Sequence, residues 1–291
     1  VNNLDDALMR LSKFGVLHIS EIYEFSKIIS YFSYLKGQNF EEKMRGYLDK
    51  IIIPEQILEL KGHFNANGEL NASVDERISV INEAFMRKKA QINELLRGII
   101  SSKSITPYLV DTQIHYINES ESLLVRGGFN HAIKAQVIAR SASGFFYITP
   151  NSIDTLKNEL SALLDKKEEI IYEYCKKISK IFNQNLAFLK FINSAFDYID
   201  ALLARVLMAK SMDLSFVLAD GSKDIILSEF AHPALKDPKR ISVDFRTKIL
   251  LITGVNAGGK SMLLKSVLTA VFCAKYLLPM AINAQKSKIG S

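Results

Sequence analysis

Several things are scarce in this 291-residue chain, and each scarcity removes a class of function. Cysteine occurs only at Cys175 and Cys273, and neither has a C-x-x-C partner. A disulfide-stapled secreted scaffold and a cysteine-based zinc module are thereby excluded, which leaves two buried, reduced thiols of a cytoplasmic protein. Long apolar runs are missing as well. The most apolar stretch, Met262 to Ala284, is broken by Lys265, Lys275 and Pro279, so it reads as a buried helix and not a membrane span. Nothing resembling a signal peptide is present. No Ser/His/Asp or metal-ligand cluster appears, and carboxylates stop altogether at Asp244. The first residue is Val1, which reads as a piece of something longer.

What is present is a folded composition with 48% hydrophobic residues and a net charge of +6. The charge is uneven. Residues 1–99 carry 13 Lys/Arg against 14 Asp/Glu, whereas residues 213–291 carry 11 against 6. The basic excess therefore surrounds one stretch near the end, as a polyphosphate ligand would favour. A broad basic stripe of the kind that covers duplex DNA is not visible from charge alone.

That stretch is Ile249-Leu-Leu-Ile-Thr253-Gly254-Val255-Asn256-Ala257-Gly258-Gly259-Lys260-Ser261. It fits G-x-x-x-x-G-K-[ST], the phosphate-binding loop, between a strand-like run and an apolar helical pattern. Glycines let backbone N–H groups converge on phosphate oxygens, and the positive end of the helix beginning near Lys260 points at the same place. Candidate nucleotide contacts are Gly254, Val255, Asn256, Ala257, Gly258, Gly259, Lys260, Ser261 and Met262. Lys260 is expected to neutralise the β- and γ-phosphates of ATP, with ADP as the other bound state, and the Ser261 hydroxyl to bind Mg²⁺. The loop's water-activating carboxylates would have to lie in sequence beyond this chain.

Upstream, residues 1–70 read as helices broken at Lys36–Asn39 and Ile53-Pro54, with a loop at Asn65–Gly68. Ser73-Val-Asp-Glu76 reads as a capping box. Val74, Ile78, Ile81, Phe85, Lys88, Ile92, Leu95 and Ile99 then step 4-3-4-3-4-3-4, a heptad seam. A second seam runs through Ile153, Leu156, Leu160, Leu163, Lys167, Ile170, Tyr174, Ile178 and Ile181. Between them, short β-rich runs suggest a hairpin of Leu123–Val125 with Ile133–Ala139, followed by a third strand over Gly144–Thr149. Two such helices flanking a β module suggest an antiparallel pair carrying the module at its far end. Residues 183–212 read as one or two further apolar helices. Strand-like runs then follow at Leu214–Leu218, Ile225–Leu227 and Ile249–Thr253.

The glycine-rich loop resembles T-G-P-N-x-G-G-K-[ST] of the MutS family. Ala231-His-Pro-Ala-Leu235 is similar to that family's R-H-P-L segment, and Leu278-Pro-Met-Ala281 to its V-P-A segment. Arg140-Ser-Ala-Ser-Gly-Phe-Phe-Tyr-Ile-Thr-Pro150 resembles the clamp segment of the branch often called MutS-two, which lacks a mismatch-recognition domain. Val255, Ala234 and Phe146 depart from the usual residues. The resemblance implies a multidomain, mainly α protein. Its parts would be a helical core at 1–72, an outbound lever helix at 73–104, a β-rich clamp at 105–150 and an inbound lever at 151–182. A helical return at 183–212 and the first part of an α/β P-loop ATPase domain at 213–291 would complete it. The chain is then a fragment without the rest of that ATPase domain or the branch's C-terminal nuclease.

The resemblance further implies a cytoplasmic homodimeric ATPase that clamps branched or damaged duplex DNA in repair or suppression of recombination, with no membrane partner. Lys103, Arg126, Lys134 and Arg140 are the clamp residues that would meet phosphates. The bland reading of those four is a solvated surface, since Asp111, Glu119 and Glu121 nearly cancel them. His232 reads as a hydrogen-bonded structural histidine. Lys236, Lys239 and Arg240 read as a solvated charge run, with a lining of the nucleotide pocket as the sharper reading. The alternatives are an RNA- or ribosome-associated ATPase of the same family, which makes the ribosome a possible partner, or a helical scaffold with a vestigial site. An ABC- or SMC-type ATPase fits less well, because there the coiled-coil arms follow the P-loop.

Overall fold

The first sixty residues fold as short helices because their apolar residues recur every three or four positions and their breakers sit between the recurrences. Helices α1 (Asp5–Ser12), α2 (Ile19–Lys36), α3 (Glu42–Asp49) and α4 (Glu55–Leu58) are separated at Gly37 and by Pro54, which caps α4. This is a computed structural model, and it describes residues 2–118, 120–246, 249, 251–253 and 259–290. About 54% of the chain is helical, and the sheets among the described residues are small and antiparallel. The chain divides into two units, 1–193 and 194–291.

In the first unit α2 is the centre, with Ile22, Phe25, Ile28, Ile29 and Phe32 each fully buried. Two long helices follow, α5 (Glu76–Ile100) and α6 (Asp154–Gln184). The N-cap of α5 is Asp75, whose carboxylate accepts the Arg77 N–H at 3.0 Å. The expected cap at Ser73 is therefore corrected: Ser73 lies in a 3₁₀ turn over Ala72–Val74, and the chain becomes extended only at Asp75.

The two helices pair. Arg77 bonds Glu173 at 2.8 Å, Lys167 bonds Asn82 at 3.0 Å and Lys88 bonds Glu159 at 2.5 Å. As the position on α5 advances, its partner's position on α6 falls back, so the pair is antiparallel. The polar members of the two seams, Lys88 and Lys167, each reach a polar group on the facing helix. Toward its C-terminus the α5 seam shifts: Leu96 is fully buried while Leu95 is 43% exposed. A straight helix drifts about 20° per heptad against a strict seven-residue repeat, so one side chain hands over to its neighbour.

The other end of the pair is anchored on the helical core. Phe182 of α6 meets Phe25 edge-to-face at 5.2 Å. The loop before η-turn Ala72–Val74 docks on α6 through aromatic contacts, Phe64 to Tyr174 at 6.3 Å and His63 Nδ1 to the Tyr174 hydroxyl at 2.9 Å. Burial lowers the His63 pKa and raises that of Tyr174, so both groups favour their neutral forms.

The β module contains β1 (Leu109–Ile117), β2 (Ser120–Val125), β3 (Ala135–Arg140) and β4 (Phe146–Pro150). Their order is β1-β2-β4-β3, antiparallel throughout. The expected hairpin of β2 with β3 is not formed. Residues 126–134 are occupied by a 3₁₀ turn that buries Phe129, and the tight turn comes later, where Gly144 at φ +82 closes β3 onto β4. Leu123, Val125, Phe129 and Ile148 share a core with Ile92 and Leu96 of α5 and with Ile153 and Leu160 at the start of α6. The module is thus built onto the paired ends of the two helices.

Helix α7 spans Leu186–Ser211. The second unit adds β5 (Ile225–Phe230), β6 (Ile241–Phe245), α8 (Lys260–Lys275) and β7 (Lys288–Ile289). Its sheet order is β6-β5-β7, with both pairings antiparallel. Leu227, Phe230, Val267, Ala270, Cys273, Met280 and Ile289 form its core. Two strand expectations are corrected here. Leu214–Leu218 contributes only a bridge between Ser215 and Met280. Ile249 and Leu251–Thr253 do not lie in a strand among the described residues. Ile249 and Leu251 are 87% and 84% exposed, whereas a parallel strand of this composition needs both faces covered.

Candidate phosphate-binding site

The site is assembled from the ends of β5 and α8. Beyond Phe230, the backbone of Ala231 bonds Ala281 and the chain turns through His232-Pro233. The His232 Nδ1 accepts the Ala234 N–H at 3.2 Å, so its proton resides on Nε2 and is donated to the Thr269 hydroxyl of α8 at 3.1 Å. The ring also stands edge-on to Phe230 at 6.5 Å. His232 therefore ties the connector to α8, as the structural reading of this histidine expects.

Helix α8 starts at Lys260 with Gly259 as its N-cap, at φ +85. A side chain there would be strained by the left-handed backbone, which glycine adopts freely. The first intrahelical bond runs from the Leu263 N–H to the Gly259 carbonyl at 2.9 Å. The N–H groups of the three preceding residues, Lys260, Ser261 and Met262, lie at the positive end of the helix. Lys260 and Met262 are half-buried and Ser261 is exposed.

In front of this helix end lies a cleft of about 600 Å³. Gly259, Lys260, Met262 and Thr253 line one side, and His232, Lys236 and Lys239 line another. Three lysines face the cleft against one carboxylate, Asp237, so its charge balance suits a polyanion. Of the expected contacts, Gly259, Lys260 and Met262 are brought to the cleft, and Ser261 sits beside it on the first turn. Gly254, Val255, Asn256, Ala257 and Gly258 lie outside the described residues.

In sequence Lys236 and Lys239 read as members of a charge run, with a lining of the nucleotide pocket as the sharper reading. Spacing did not say which members of the run would line the cleft; Lys236 and Lys239 do, while remaining exposed. Arg240, the third member, reaches back to the Glu229 carbonyl at 3.5 Å.

The four basic residues of the β module do not converge. Leu109, Val125, Phe146 and Arg140 form one row across the sheet, and Arg126 follows Val125, so Arg126 and Arg140 mark the same end. Lys103 lies in the turn leading to that end, between α5 and β1. Lys134 precedes Ala135, which pairs with Pro150 at the opposite end. The Arg140 guanidinium lies over the Phe146 ring at 4.9 Å, with cation–π contact. Among the described residues no group of three His, Cys, Asp or Glu could hold a metal ion, and no helix is long and apolar enough to cross a membrane.

No family model matches this chain. Individual relatives do. It is 38% identical over 293 residues to the protein named Endonuclease MutS2 of Helicobacter pylori strain J99, covering 99% of this chain and 38% of that protein. To the protein of the same name in Borreliella burgdorferi it is 30% identical over 77% of this chain and 29% of the relative. To that of Caldicellulosiruptor saccharolyticus it is 25% identical over 91% and 35% respectively. The chain thus spans under two fifths of the length of these curated relatives. With the glycine-rich loop, the His232-Pro233 connector and identity sustained along almost its whole length, the chain belongs to the MutS family, in its MutS2 branch.

Proposed function

We propose that this chain binds ATP and that the whole protein hydrolyses it, as a homodimer, to clamp branched or damaged DNA during repair or suppression of recombination. The observation that carries the reading is that Gly259, Lys260 and Met262, at the N-terminus of α8, line one cleft together with Lys236 and Lys239. The donor chemistry fits a triphosphate. Lys260 would neutralise the β- and γ-phosphates, and the N–H groups of the first turn of α8 would add hydrogen bonds that strengthen with phosphate charge. Lys236 and Lys239 would hold the rest of the polyphosphate from the opposite wall. Mg²⁺ would be held by the nucleotide phosphates and the Ser261 hydroxyl, a single oxygen from this chain, as hard cations with nucleotide partners usually are. The nucleotide supplies a cleavable phosphoanhydride. The chain's own residues position and neutralise it, and orient the connector at His232 against α8.

The antiparallel pair α5/α6 supports the lever reading, since it links the helical core to a β module that shares its hydrophobic core with the helix ends. Within the module, Arg126 and Arg140 are the pair we assign to duplex phosphates, because they occupy one end of the sheet. The nuclease activity in the relatives' name is not proposed for these residues.

Two measurements test the proposal. ATP turnover by the whole protein is expected to vanish in Lys260→Ala, and equal turnover would refute the catalytic assignment. Replacing Arg126 and Arg140 together by alanine is expected to weaken binding of a branched duplex and to flatten its salt dependence by about two phosphate contacts, with ATP binding intact. Unchanged affinity and salt slope would remove the clamp assignment.

A further inference from the structure

A second cleft, also of about 600 Å³, opens in the first unit where the last turns of α5 meet β1. Lys89, Asn93 and Arg97 enter it from one face of α5, because residues four apart stack along a helix. Gln113, Tyr116 and Glu121 line it from β1 and β2.

The basic residues of α5 behave differently inside and outside this cleft. Arg77 pairs with Asp75 and Glu173, Arg87 with Glu83, and Lys88 with Glu159. Lys89 and Arg97 form no ion pair among the described residues. Asp111 is bonded to His115 at 3.0 Å and to the Gln113 N–H at 2.9 Å, and Glu121 is the one carboxylate lining the cleft among the described residues. The Lys89 ammonium is held in place by two rings, 5.5 Å from the centroid of Phe85 and 5.8 Å from that of Tyr116. Tyr116 is 62% exposed, which leaves its ring accessible to a stacking partner.

Two cations without carboxylate partners, an exposed ring beside them and two side-chain amides, Asn93 and Gln113, form a set with a specific match. Phosphodiester charge suits the cations, and an unstacked base offers a π-face to the tyrosine and polar edges to the amides. A paired duplex offers the charge but hides the base faces. We infer that this cleft binds a short run of single-stranded nucleic acid, with phosphate on Lys89 and Arg97 and a base on Tyr116. The site is separate from the Arg126/Arg140 end of the sheet. It extends the nucleic-acid reading above to a different form of the polymer. DNA and RNA strands share this chemistry.

The test uses the 291-residue chain and four fluorescent probes: a ten-residue oligothymidine, its abasic counterpart, a ten-residue oligouridine and a branched DNA duplex. Tyr116→Ala is expected to weaken the better-bound base-bearing oligomer about tenfold, and Tyr116→Phe to preserve it, since stacking needs the ring and not the hydroxyl. Arg97→Ala is expected to weaken both the base-bearing and the abasic oligomer and to lower the salt slope by about one contact. The abasic oligomer should not distinguish Tyr116→Ala from the unaltered chain. Comparing thymidine with uridine oligomers assigns the source, and a preference for either supports the site. Branched-duplex affinity should be the same in all three variants, and the melting temperature of each variant excludes unfolding as the cause. Absence of oligomer binding by the unaltered chain, or full affinity in both Tyr116→Ala and Arg97→Ala, overturns the inference. Failure of the branched duplex alone to bind counts against the clamp proposal and leaves the oligomer results to decide this one.

Discussion

Helices α5 and α8 make opposite use of their apolar residues. On α5 the buried side carries Ile78, Ile92 and Leu96, and the charged surface includes Arg77, Glu83, Arg87 and Lys88 in ion pairs. Helix α8 buries Val267, Ala270, Cys273 and Ala274 on one side, yet Leu264, Leu268 and Phe272 form a second stripe that is 53–69% exposed. A seam repeated at heptad spacing specifies a partner helix, and α5 has one in α6. On α8 the apolar residues go nearly all the way round, so their spacing specifies no single face. Its informative feature is instead at its end, where Gly259 opens onto a lysine-lined cleft.

The contrast can be broken by substitution. The largest effect on folding is expected from Leu96→Ala, which removes a fully buried side chain shared by α5 and the β sheet: about 2–5 kcal/mol lost in denaturant unfolding of the first unit. A loss below 1 kcal/mol would mean the module is not built onto the helix ends. A double-mutant cycle on Lys88 and Glu159 should return about 0.2–1 kcal/mol, shrinking with salt, because both side chains remain partly exposed. On α8, Leu268→Lys should change stability by no more than about 0.5 kcal/mol, since the side chain is 69% exposed. A large loss there would show that the exposed stripe is packed in solution.

The smallest effect concerns the anchor of the helix pair. Burial lowers the His63 pKa, so the folded state holds its proton less tightly than the unfolded chain does. Its contribution to stability is full above the ordinary histidine range near pH 6.5 and is lost as pH falls through and below it. His63→Gln should reduce the stability difference measured between pH 7.5 and pH 5.5. An unaltered pH profile would argue that His63 is not buried against Tyr174.

Much of this architecture was legible in the sequence, for reasons that differ by element. Helices α2, α5 and α6 follow local periodicity, and Pro54 and Gly37 mark real breaks because their backbone constraints act within a few residues. Strand pairing is not local. Between β2 and β3 the chain forms a turn whose Phe129 joins the module core, and β4 pairs between the two strands, which no alternation pattern reveals. The exchange of Leu95 for Leu96 required knowing that the last turns of α5 face a sheet as well as a helix. At the site, Gly259 and Lys260 were marked by the motif. Lys236 and Lys239 were not, because a run of exposed charge carries no record of which members turn toward a cleft.

The central claim is that the end of α8 and its facing lysines hold a nucleotide triphosphate. Titration of the chain with a fluorescent ATP analogue in the presence of Mg²⁺, comparing the unaltered protein with Lys260→Ala, tests it most directly. The account predicts saturable binding that weakens by about 10- to 100-fold in the variant, the loss of one or two charge-assisted hydrogen bonds, with no change in melting temperature. Equal affinity in both proteins, or no binding by either, would contradict it and leave a helical scaffold with a vestigial site.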